Sequence, residues 1–286
     1  MPHPPPLSSW RPALVKRLVR SVSTSTNVFV VETDVGPAYL KALGNPAGPH
    51  ALASELIGTQ LARLLSMQTF DYAVLDVQPE NELPFNSDSQ ALPGPAFATR
   101  EKRGGDWGGD ARRLKKLTNP ADIAKLVVMD TWLLNSDRCP PPSNTSRRPN
   151  YDNVFLSTEN RSMEKFTLVA MDFSHCFSLV SGGQISPRIA NIDNVKNTEI
   201  FGLYPAFSPI LKRRQHWIGK ALAALDAVDE QAVARIVEEV PAQWELQQSA
   251  RSALVRFICD RADYLKNNIH PGFYSQPDLS NLDETK

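Results

Sequence analysis

The sequence has little of what marks a secreted, membrane-spanning or strongly charged protein. Its three cysteines, Cys139, Cys176 and Cys259, are too few and too widely spaced for a disulfide framework or a zinc site. It has no run of the ~18 apolar residues that a membrane-spanning helix needs. Lys and Arg together number 31, as do Asp and Glu, so the net charge of zero favours neither nucleic acid nor an anionic membrane as a partner.

The start of the chain also lacks the basic and apolar segments of a signal peptide. Together with the scarcity of cysteine, this predicts a reducing, cytoplasmic location. Residues 1–10 are rich in proline and serine and predict a disordered lead-in. The 286 residues suffice for one large domain or two ordinary lobes, and their 42% hydrophobic content is normal for a globular protein.

Runs of β-branched and apolar residues predict that the first third of the chain is rich in strands. A turn at residues 34–37 joins two of these runs into a hairpin. A helix is predicted over residues 50–66, where apolar residues recur at helical spacing, and a loop over residues 78–96. The predicted strands cover residues 13–20, 28–33, 38–43, 70–76 and 97–102.

The rest of the chain is predicted to be mostly helical, with a single β-hairpin. An apolar helix is expected over residues 120–134, started by Asn119, a residue type that caps helix N-termini. Asp130 lies inside this helix and requires a partner, because an unpaired buried carboxylate is costly. The hairpin strands are residues 153–157 and 166–171, and later helices cover residues 208–226, 228–239 and 245–269.

These patterns predict an α+β fold of two lobes, with a cleft between them that suits a ligand. The first lobe, a small antiparallel sheet with one helix, covers residues 11–102. The second, mainly helical lobe covers residues 103–270, and a poorly ordered tail is expected over residues 271–286.

Three polar residues, Asp137, Asn153 and Asp172, each stand next to an apolar run. Taken singly, each has an ordinary explanation: Asp137 as a surface carboxylate paired with Arg138, the other two as turn residues. Together they match the needs of phosphoryl transfer, in which one carboxylate orients the attacking hydroxyl while a carboxylate and an amide hold Mg²⁺ through oxygen. In this interpretation Asp137 is the catalytic carboxylate, and Asn153 and Asp172 are the metal ligands.

Lys41 and Glu55 are the candidates for holding nucleotide phosphates. Lys41 is the odd charge on its face of a hairpin strand, where it either extends its ammonium to solvent or binds phosphate. Glu55 lies on the smaller, more polar face of the following helix, where it either pairs with Lys41 or faces solvent. Ser23, Thr24 and Ser25 fall where a phosphate-covering loop is expected; the loop has no glycine-rich motif, and a flexible polar loop explains each hydroxyl equally well.

Other charged or reactive residues have simpler explanations. The basic cluster at residues 112–116 is more simply a solvated face than a nucleic-acid site. Cys139 follows Asp137 and Arg138 but has no evident histidine base, so it is not predicted to be a nucleophile. His175 and His216 have no second ligand at metal-binding spacing and are predicted to be structural.

Several motifs resemble those of HipA-like kinases, and in particular of the stand-alone HipA-like kinase domains. The catalytic and metal-binding loops of that family are resembled by Asp130-x-Trp-Leu-x-Asn-x-Asp137-Arg138, Asp152-Asn-Val-Phe-Leu156 and Met171-Asp-Phe-Ser-His175. Residues 28–45 and 54–65 resemble its first lobe. The resemblance covers about residues 11–270. It implies the fold of a protein kinase or phosphoinositide kinase, with a β-rich lobe over a helical lobe.

The resemblance implies an enzyme that transfers the γ-phosphate of ATP to a Ser/Thr hydroxyl of a protein, itself included. It implies ATP and Mg²⁺ as cofactors, a protein substrate of unknown identity and a cognate regulatory or antitoxin partner. The implied roles are Asp137 as catalytic base, Asn153 and Asp172 as metal ligands, and Lys41 with Glu55 as the phosphate-holding pair.

The sequence departs from the family pattern at two places. Cys139 stands where the family has a histidine after Asp-Arg, and the proline-rich segment 139–149 lengthens the gap before Asn153. Asn144 is a rival for the metal-binding amide, although Asn153 is the residue that precedes the expected strand. The departures keep open the alternative of a pseudokinase that binds a nucleotide or a partner. A kinase acting on a small molecule or lipid headgroup is a further alternative, because related folds act on such substrates.

Overall fold

The computed structural model describes residues 10–22, 26–144, 148–159, 165–177 and 184–269. The elements of its first part are β1 (Val15–Val22), β2 (Val28–Thr33), β3 (Gly36–Lys41), α1 (Pro49–Leu64), β4 (Tyr72–Val77) and β5 (Gly94–Arg100). The strands form an antiparallel sheet of order β1-β2-β3-β5-β4. The predicted strands and helix are therefore confirmed, with their ends shifted by three residues at most.

Alternation along β3 decides where Lys41 points. Ala38 and Leu40 are fully buried in the core of the sheet, together with Phe29 of β2. Because successive side chains of a strand face opposite sides, Tyr39 and Lys41 point away from that core. Lys41, the last residue of β3, therefore faces α1.

α1 is buried on nearly all sides and shares its core with the second part of the chain. Pro49 occupies the first turn, where its missing N–H breaks no helical hydrogen bond. Leu52, Ile57 and Leu61 belong to the same hydrophobic cluster as the later helices, whereas the sheet has its own cluster around Phe29. The helix that carries Glu55 is thus packed into the core of the helical part.

Gly58 allows Phe173 to pack directly on α1. A Cβ at Gly58 would lie 2.4 Å from the Cβ of Phe173. Gly58→Ala is expected to displace Phe173 and lower the free energy of unfolding by about 1–3 kcal/mol, the usual effect of overpacking a core. Urea unfolding measures this, with Gly105→Ala as the matched control because a Cβ there meets nothing within 4 Å. Equal unfolding free energies for the two variants would contradict the contact.

The second part contains a short sheet and seven of the eight α-helices described in the chain. Its elements are β6 (Gly104–Asp106), α2 (Ala111–Leu114), α3 (Asp122–Leu133), β7 (Phe155–Ser157), β8 (Thr167–Val169), α4 (Ile192–Val195), α5 (Ser208–Arg213), α6 (Gln215–Ala223), α7 (Glu230–Glu238) and α8 (Gln248–Asn268). The predicted hairpin is confirmed as the antiparallel pair β7–β8, with β6 added to its edge. The predicted helix over 208–226 is interrupted at Arg214 and ends in a 3₁₀ turn.

α3 is the predicted central helix, and each of its residues except Lys125 is buried. The predicted cap is wrong: the N-cap is Ala121, which makes no side-chain cap bond. Asn119 instead bonds to β8, because Leu168 N–H donates to Asn119 Oδ1 (2.8 Å) and Asn119 Nδ2 donates to the Leu168 carbonyl (2.9 Å). The amide therefore ties the start of α3 to the second sheet.

Two segments with predicted disorder fall mostly beyond the described residues. Residues 1–9 of the lead-in and residues 270–286, which include the predicted tail, are outside them, while Trp10 is buried in the core of the first sheet. Across the described ranges, no helix is both long enough and apolar enough to cross a membrane.

Two members of the basic cluster at residues 112–116 have partners within the protein. Arg112 pairs with Asp110, and Arg113 donates to the carbonyls of Asp106 and Trp107. The Arg112 side chain is 88% exposed, as a solvated face requires, whereas Arg113 is tied to the backbone of the preceding segment.

Candidate active site

A cavity of about 510 Å³ lies between the first sheet and the β7–β8 hairpin. This volume is typical of small-molecule sites. One part of its wall is apolar and aromatic, with Phe70, Phe97 and Phe155. The charged and amide side chains of the wall are Arg20, Lys41, Glu55, Asp106, Asp152, Asn153 and Asp172. The structure thus brings four of the predicted site residues, from distant parts of the chain, to one cavity.

Lys41, Glu55, Asp172 and Ser174 form a hydrogen-bonded cluster in this wall. Lys41 Nζ donates to Glu55 Oε1, to Asp172 Oδ1 (3.0 Å) and to Ser174 Oγ (2.7 Å). The Ser174 hydroxyl lies 2.8 Å from both Glu55 Oε1 and Asp172 Oδ1, and the Phe173 N–H donates to Glu55 Oε2 (3.1 Å). With its side chain 4% exposed, Glu55 is a partner of Lys41 and not part of a solvated face.

The charges of this cluster stabilise one another. Burial acts to lower the pKa of Lys41, but the carboxylates of Asp172 and Glu55 outweigh it and raise that pKa above its usual value. Burial likewise acts to raise the pKa of Asp172, but the Lys41 ammonium prevails and holds it well below its usual value. At neutral pH, the site therefore presents a fixed positive charge beside an ionised carboxylate.

Asp137 and Asn153 form a second pair beside the cavity. Leu134 has a positive φ of 55°, which ends α3 and turns the chain toward Asp137. Asn153 Nδ2 donates to Asp137 Oδ2 (2.7 Å), and this bond does not occupy the amide oxygen of Asn153. Asn153 lines the cavity and Asn144 does not, so the geometry favours Asn153 as the metal-binding amide.

Asp130, for which the sequence requires a partner, is paired with Arg138. Arg138 Nε lies 2.8 Å from Asp130 Oδ2, and both side chains are wholly buried; the contact is an ion pair and not a well-aligned hydrogen bond. Asn135 Nδ2 also donates to Asp130 Oδ1 (3.0 Å). Burial raises the pKa of Asp130, and the Arg138 charge only partly opposes it. The surface pairing of Asp137 with Arg138 is therefore wrong, because Arg138 points into the core.

The predicted phosphate-covering residues Ser23, Thr24 and Ser25 lie outside the described residues. The described residues on either side, Val22 and Val28, both line the cavity. The role of the three hydroxyls therefore stays a prediction.

The oxygen atoms at the site fit Mg²⁺. Both contacts of Asp172 within the cluster use Oδ1, so they do not occupy Oδ2. Arg20 and Lys41 give the cavity wall a formal charge of +2 and its four carboxylates give −4, a net −2 that would repel a triphosphate without a divalent cation. No group of three or more His, Cys, Asp or Glu side chains placed to hold a metal occurs in the described part of the chain. A carboxylate and an amide suffice for Mg²⁺, which keeps several waters.

Ser174 is a site residue that the sequence interpretation missed, although it stands two positions after Asp172. Ser174→Ala is expected to weaken Mg-ATP binding and to lower the free energy of unfolding by about 1–3 kcal/mol, because buried partners lose a hydrogen bond. Ser157→Ala, which also removes a buried hydroxyl but lies outside the cluster, should change stability alone. Calorimetric titration and urea unfolding measure the two effects. Equal Mg-ATP affinities in both variants would exclude a role for Ser174 in the site.

Comparison with known proteins adds information at the level of structure only. No protein-family model and no curated protein sequence matches the chain. The Helicobacter pylori proinflammatory kinase CtkA matches with a TM-score of 0.56 and 12% identity, over 89% of this chain and 94% of that chain. A chain of the Shewanella oneidensis MR-1 complex of HipA, HipB and operator DNA matches with a TM-score of 0.45 and 10% identity, over 96% and 70%. The Mycobacterium tuberculosis PknI kinase domain matches with a TM-score of 0.26 and 14% identity, over 91% and 98%.

The chain therefore has a protein-kinase-like, α+β fold, as predicted. The kinase-like fold that the resemblance to HipA-like kinases implies is thereby confirmed. The similarity to CtkA supports this conclusion, since the other two TM-scores are too low to carry an argument. At 12% identity the similarity shows the fold, and the chemistry has to be argued from the site.

Proposed function

We propose that the protein is a Mg-ATP-dependent kinase that phosphorylates a Ser/Thr hydroxyl of a protein, itself included. The observation that carries the proposal is the meeting of Lys41, Glu55 and Asp172 in the wall of a nucleotide-sized cavity, with the Asp137–Asn153 pair beside it. A kinase fold shared with CtkA supports the same conclusion. Two further parts of the proposal, the protein substrate and a regulatory or antitoxin partner, rest on the resemblance of the sequence motifs alone. The proposed cytoplasmic location rests on the scarcity of cysteine and on the lack of signal-peptide features at the start of the chain.

Each residue has a defined task in the proposed reaction. Lys41 binds phosphate oxygens, and Glu55 orients it. The substrate hydroxyl oxygen forms a bond to the γ-phosphorus, the bond from that phosphorus to the β–γ bridging oxygen breaks, and ADP leaves. Asp137 takes the proton of the hydroxyl. Asn153 and Asp172 would hold Mg²⁺, which supplies neutralisation of the phosphate charge.

One observation favours the alternative of a nucleotide-binding module without catalysis. Cys139 replaces the histidine of the motif that the sequence resembles, and burial raises the pKa of its thiol to about 12. A neutral thiol cannot supply the charge or the strong hydrogen bond of an imidazole at this position.

Thermal unfolding with ATP, in Mg²⁺ or in EDTA, tests the nucleotide site. Mg-ATP at about 100 times its dissociation constant is expected to stabilise the protein by about 2.7 kcal/mol, and EDTA should remove most of this effect. A melting temperature that ATP does not change in either buffer would reject both the kinase and the nucleotide-binding module.

An assay for transfer of labelled γ-phosphate then distinguishes the kinase from the nucleotide-binding module. The kinase proposal expects label on the protein itself or on a protein fraction of a cell extract. Binding of Mg-ATP without any transfer would instead establish the nucleotide-binding module.

A further inference from the structure

The guanidinium of Arg138 is wholly buried; its two terminal nitrogens donate hydrogen bonds, and its Nε makes an ion pair. Nε faces Asp130 Oδ2 at 2.8 Å. Nη1 donates to the Asn153 carbonyl, and Nη2 donates to the carbonyl of Met171 (2.6 Å), with that of Asp172 at 3.4 Å. One side chain thus connects α3 with two separate segments of the site.

The two segments that Arg138 joins are the ones that carry the proposed metal ligands. Asn153 lies two residues before β7 and Asp172 three residues after β8, just beyond the end of the antiparallel pair at which Phe155 faces Val169, so the pairing of the two strands stops before it reaches either residue. Asp172 also has a positive φ of 58°, a conformation that is unfavourable for a non-glycine residue and that surrounding contacts have to support. The contacts of the guanidinium with the carbonyls of Met171 and Asp172 give part of that support, beside the bonds of the Asp172 carboxylate to Lys41 and Ser174.

On the α3 side, the Asp130 carboxylate that faces Arg138 is itself held in place by its neighbours. Asn135 Nδ2 donates to Asp130 Oδ1, and the other carboxylate oxygen, Oδ2, faces Arg138 Nε. Gly202 packs against the same carboxylate: a Cβ there would lie 2.3 Å from Asp130 Oδ2, and its φ of 73° already disfavours a side chain. The position of the guanidinium is therefore set from the α3 side.

We propose that Arg138 is a positioning residue for the cation site, which sets the spacing of Asn153 and Asp172 by holding both of their backbones. The inference rests on the proposed function, because it concerns the same Mg²⁺ ligands. Arg138 itself touches neither the cation nor the nucleotide. A lysine cannot replace it, since a single ammonium lacks the planar fork that reaches Asp130 and both segments at once.

Arg251 supplies a matched control elsewhere in the fold. It is also buried, and its three nitrogens donate to the carbonyls of Leu246 (2.8 Å), Val237 (2.7 Å) and Val240 (2.7 Å). Arg251→Lys removes the same kind of backbone contacts without touching the cavity. A comparison of the two lysine variants therefore separates positioning of the cation site from general support of the fold.

The test measures the affinity for Mn²⁺ in the presence of a non-hydrolysable ATP analogue, with electron paramagnetic resonance as the readout. Arg138→Lys is expected to weaken Mn²⁺ binding about 10–100-fold, the usual effect of losing a residue that orients metal ligands. Affinity for the analogue in EDTA is expected to be low in wild type, because the cavity wall is negative, and the variant should stay within about twofold of that value because Lys41 is unchanged. Arg251→Lys should lower the melting temperature and leave the Mn²⁺ affinity unchanged.

Asp130→Asn provides a second variant in case Arg138→Lys does not fold. It keeps the shape of the side chain and the Arg138 carbonyl contacts but removes the counter-charge, and a smaller loss of Mn²⁺ affinity is expected. The inference is overturned if a folded variant at either position binds Mn²⁺ as wild type does, or if Arg251→Lys weakens Mn²⁺ binding equally. If wild type binds no Mn²⁺ with the analogue, the proposed function itself fails, which is a distinct outcome.

Discussion

Replacing Asp137 by asparagine is expected to lower the rate of phosphoryl transfer by about 10²–10⁴-fold, the usual contribution of a positioned general base. Affinity for Mg-ATP should stay close to that of wild type. Asparagine keeps the shape of the side chain and an oxygen that accepts from Asn153 Nδ2, now 2.7 Å from Asp137 Oδ2, but it cannot take a proton. Steady-state kinetics with labelled ATP and calorimetric titration of the nucleotide measure the two quantities.

The control for this change is Asp76→Asn, the same substitution at an exposed carboxylate on the outer strand β4. It should affect neither rate nor affinity. Wild-type transfer by Asp137→Asn would remove Asp137 from the mechanism, and a loss confined to Mg-ATP affinity would reassign it to binding.

Replacing Lys41 by methionine is expected to have the largest combined effect on stability and binding. Methionine has a similar length but leaves the buried carboxylate of Glu55 and the partly buried carboxylate of Asp172 without their shared cation. Removing one partner of a buried ion pair costs about 3–5 kcal/mol, and the lower end applies here because the Lys41 side chain is 13% exposed. Urea unfolding measures the loss, and Mg-ATP binding should disappear.

The double variant Lys41→Met with Glu55→Gln tests the cause of this loss. Because it removes one of the two unpaired carboxylates, part of the lost stability should return although nucleotide binding does not. A double variant that is less stable than Lys41→Met by the full effect of Glu55→Gln would show that the two residues act independently.

The sequence predicts most of the strands and helices and the pairing of Lys41 with Glu55, because these features depend on residues that are near one another in the chain. Strands such as β2 and β3 follow from β-branched runs and a turn, and alternation along β3 already separates Lys41 from the buried Leu40. The pairing of Lys41 with Glu55 is predictable because a hairpin strand followed directly by a helix keeps the two residues close.

The remaining contacts depend on long-range geometry that sequence patterns do not contain. Arg138 stands beside Asp137 in the sequence, which made a surface pair the simple expectation. In the structure Asp137 bonds to the Asn153 side chain, whereas Arg138 points into the core and meets the carbonyls of Asn153 and Met171 from distant parts of the chain. The role of Ser174 could not be predicted either, because it depends on how β3, α1 and the segment after β8 come together.

The packing of α1 has a consequence for the stability of the cluster around Lys41. Glu55 and Asp172 are joined through Phe173, which lies against Gly58 of α1, and α1 shares its core with the later helices. Most of the sheet that carries Lys41 has a separate core, although Phe97 of β5 belongs to the larger cluster. Any displacement of Lys41 relative to α1 would separate its ammonium from both carboxylates at once, so the cluster would come apart as a unit.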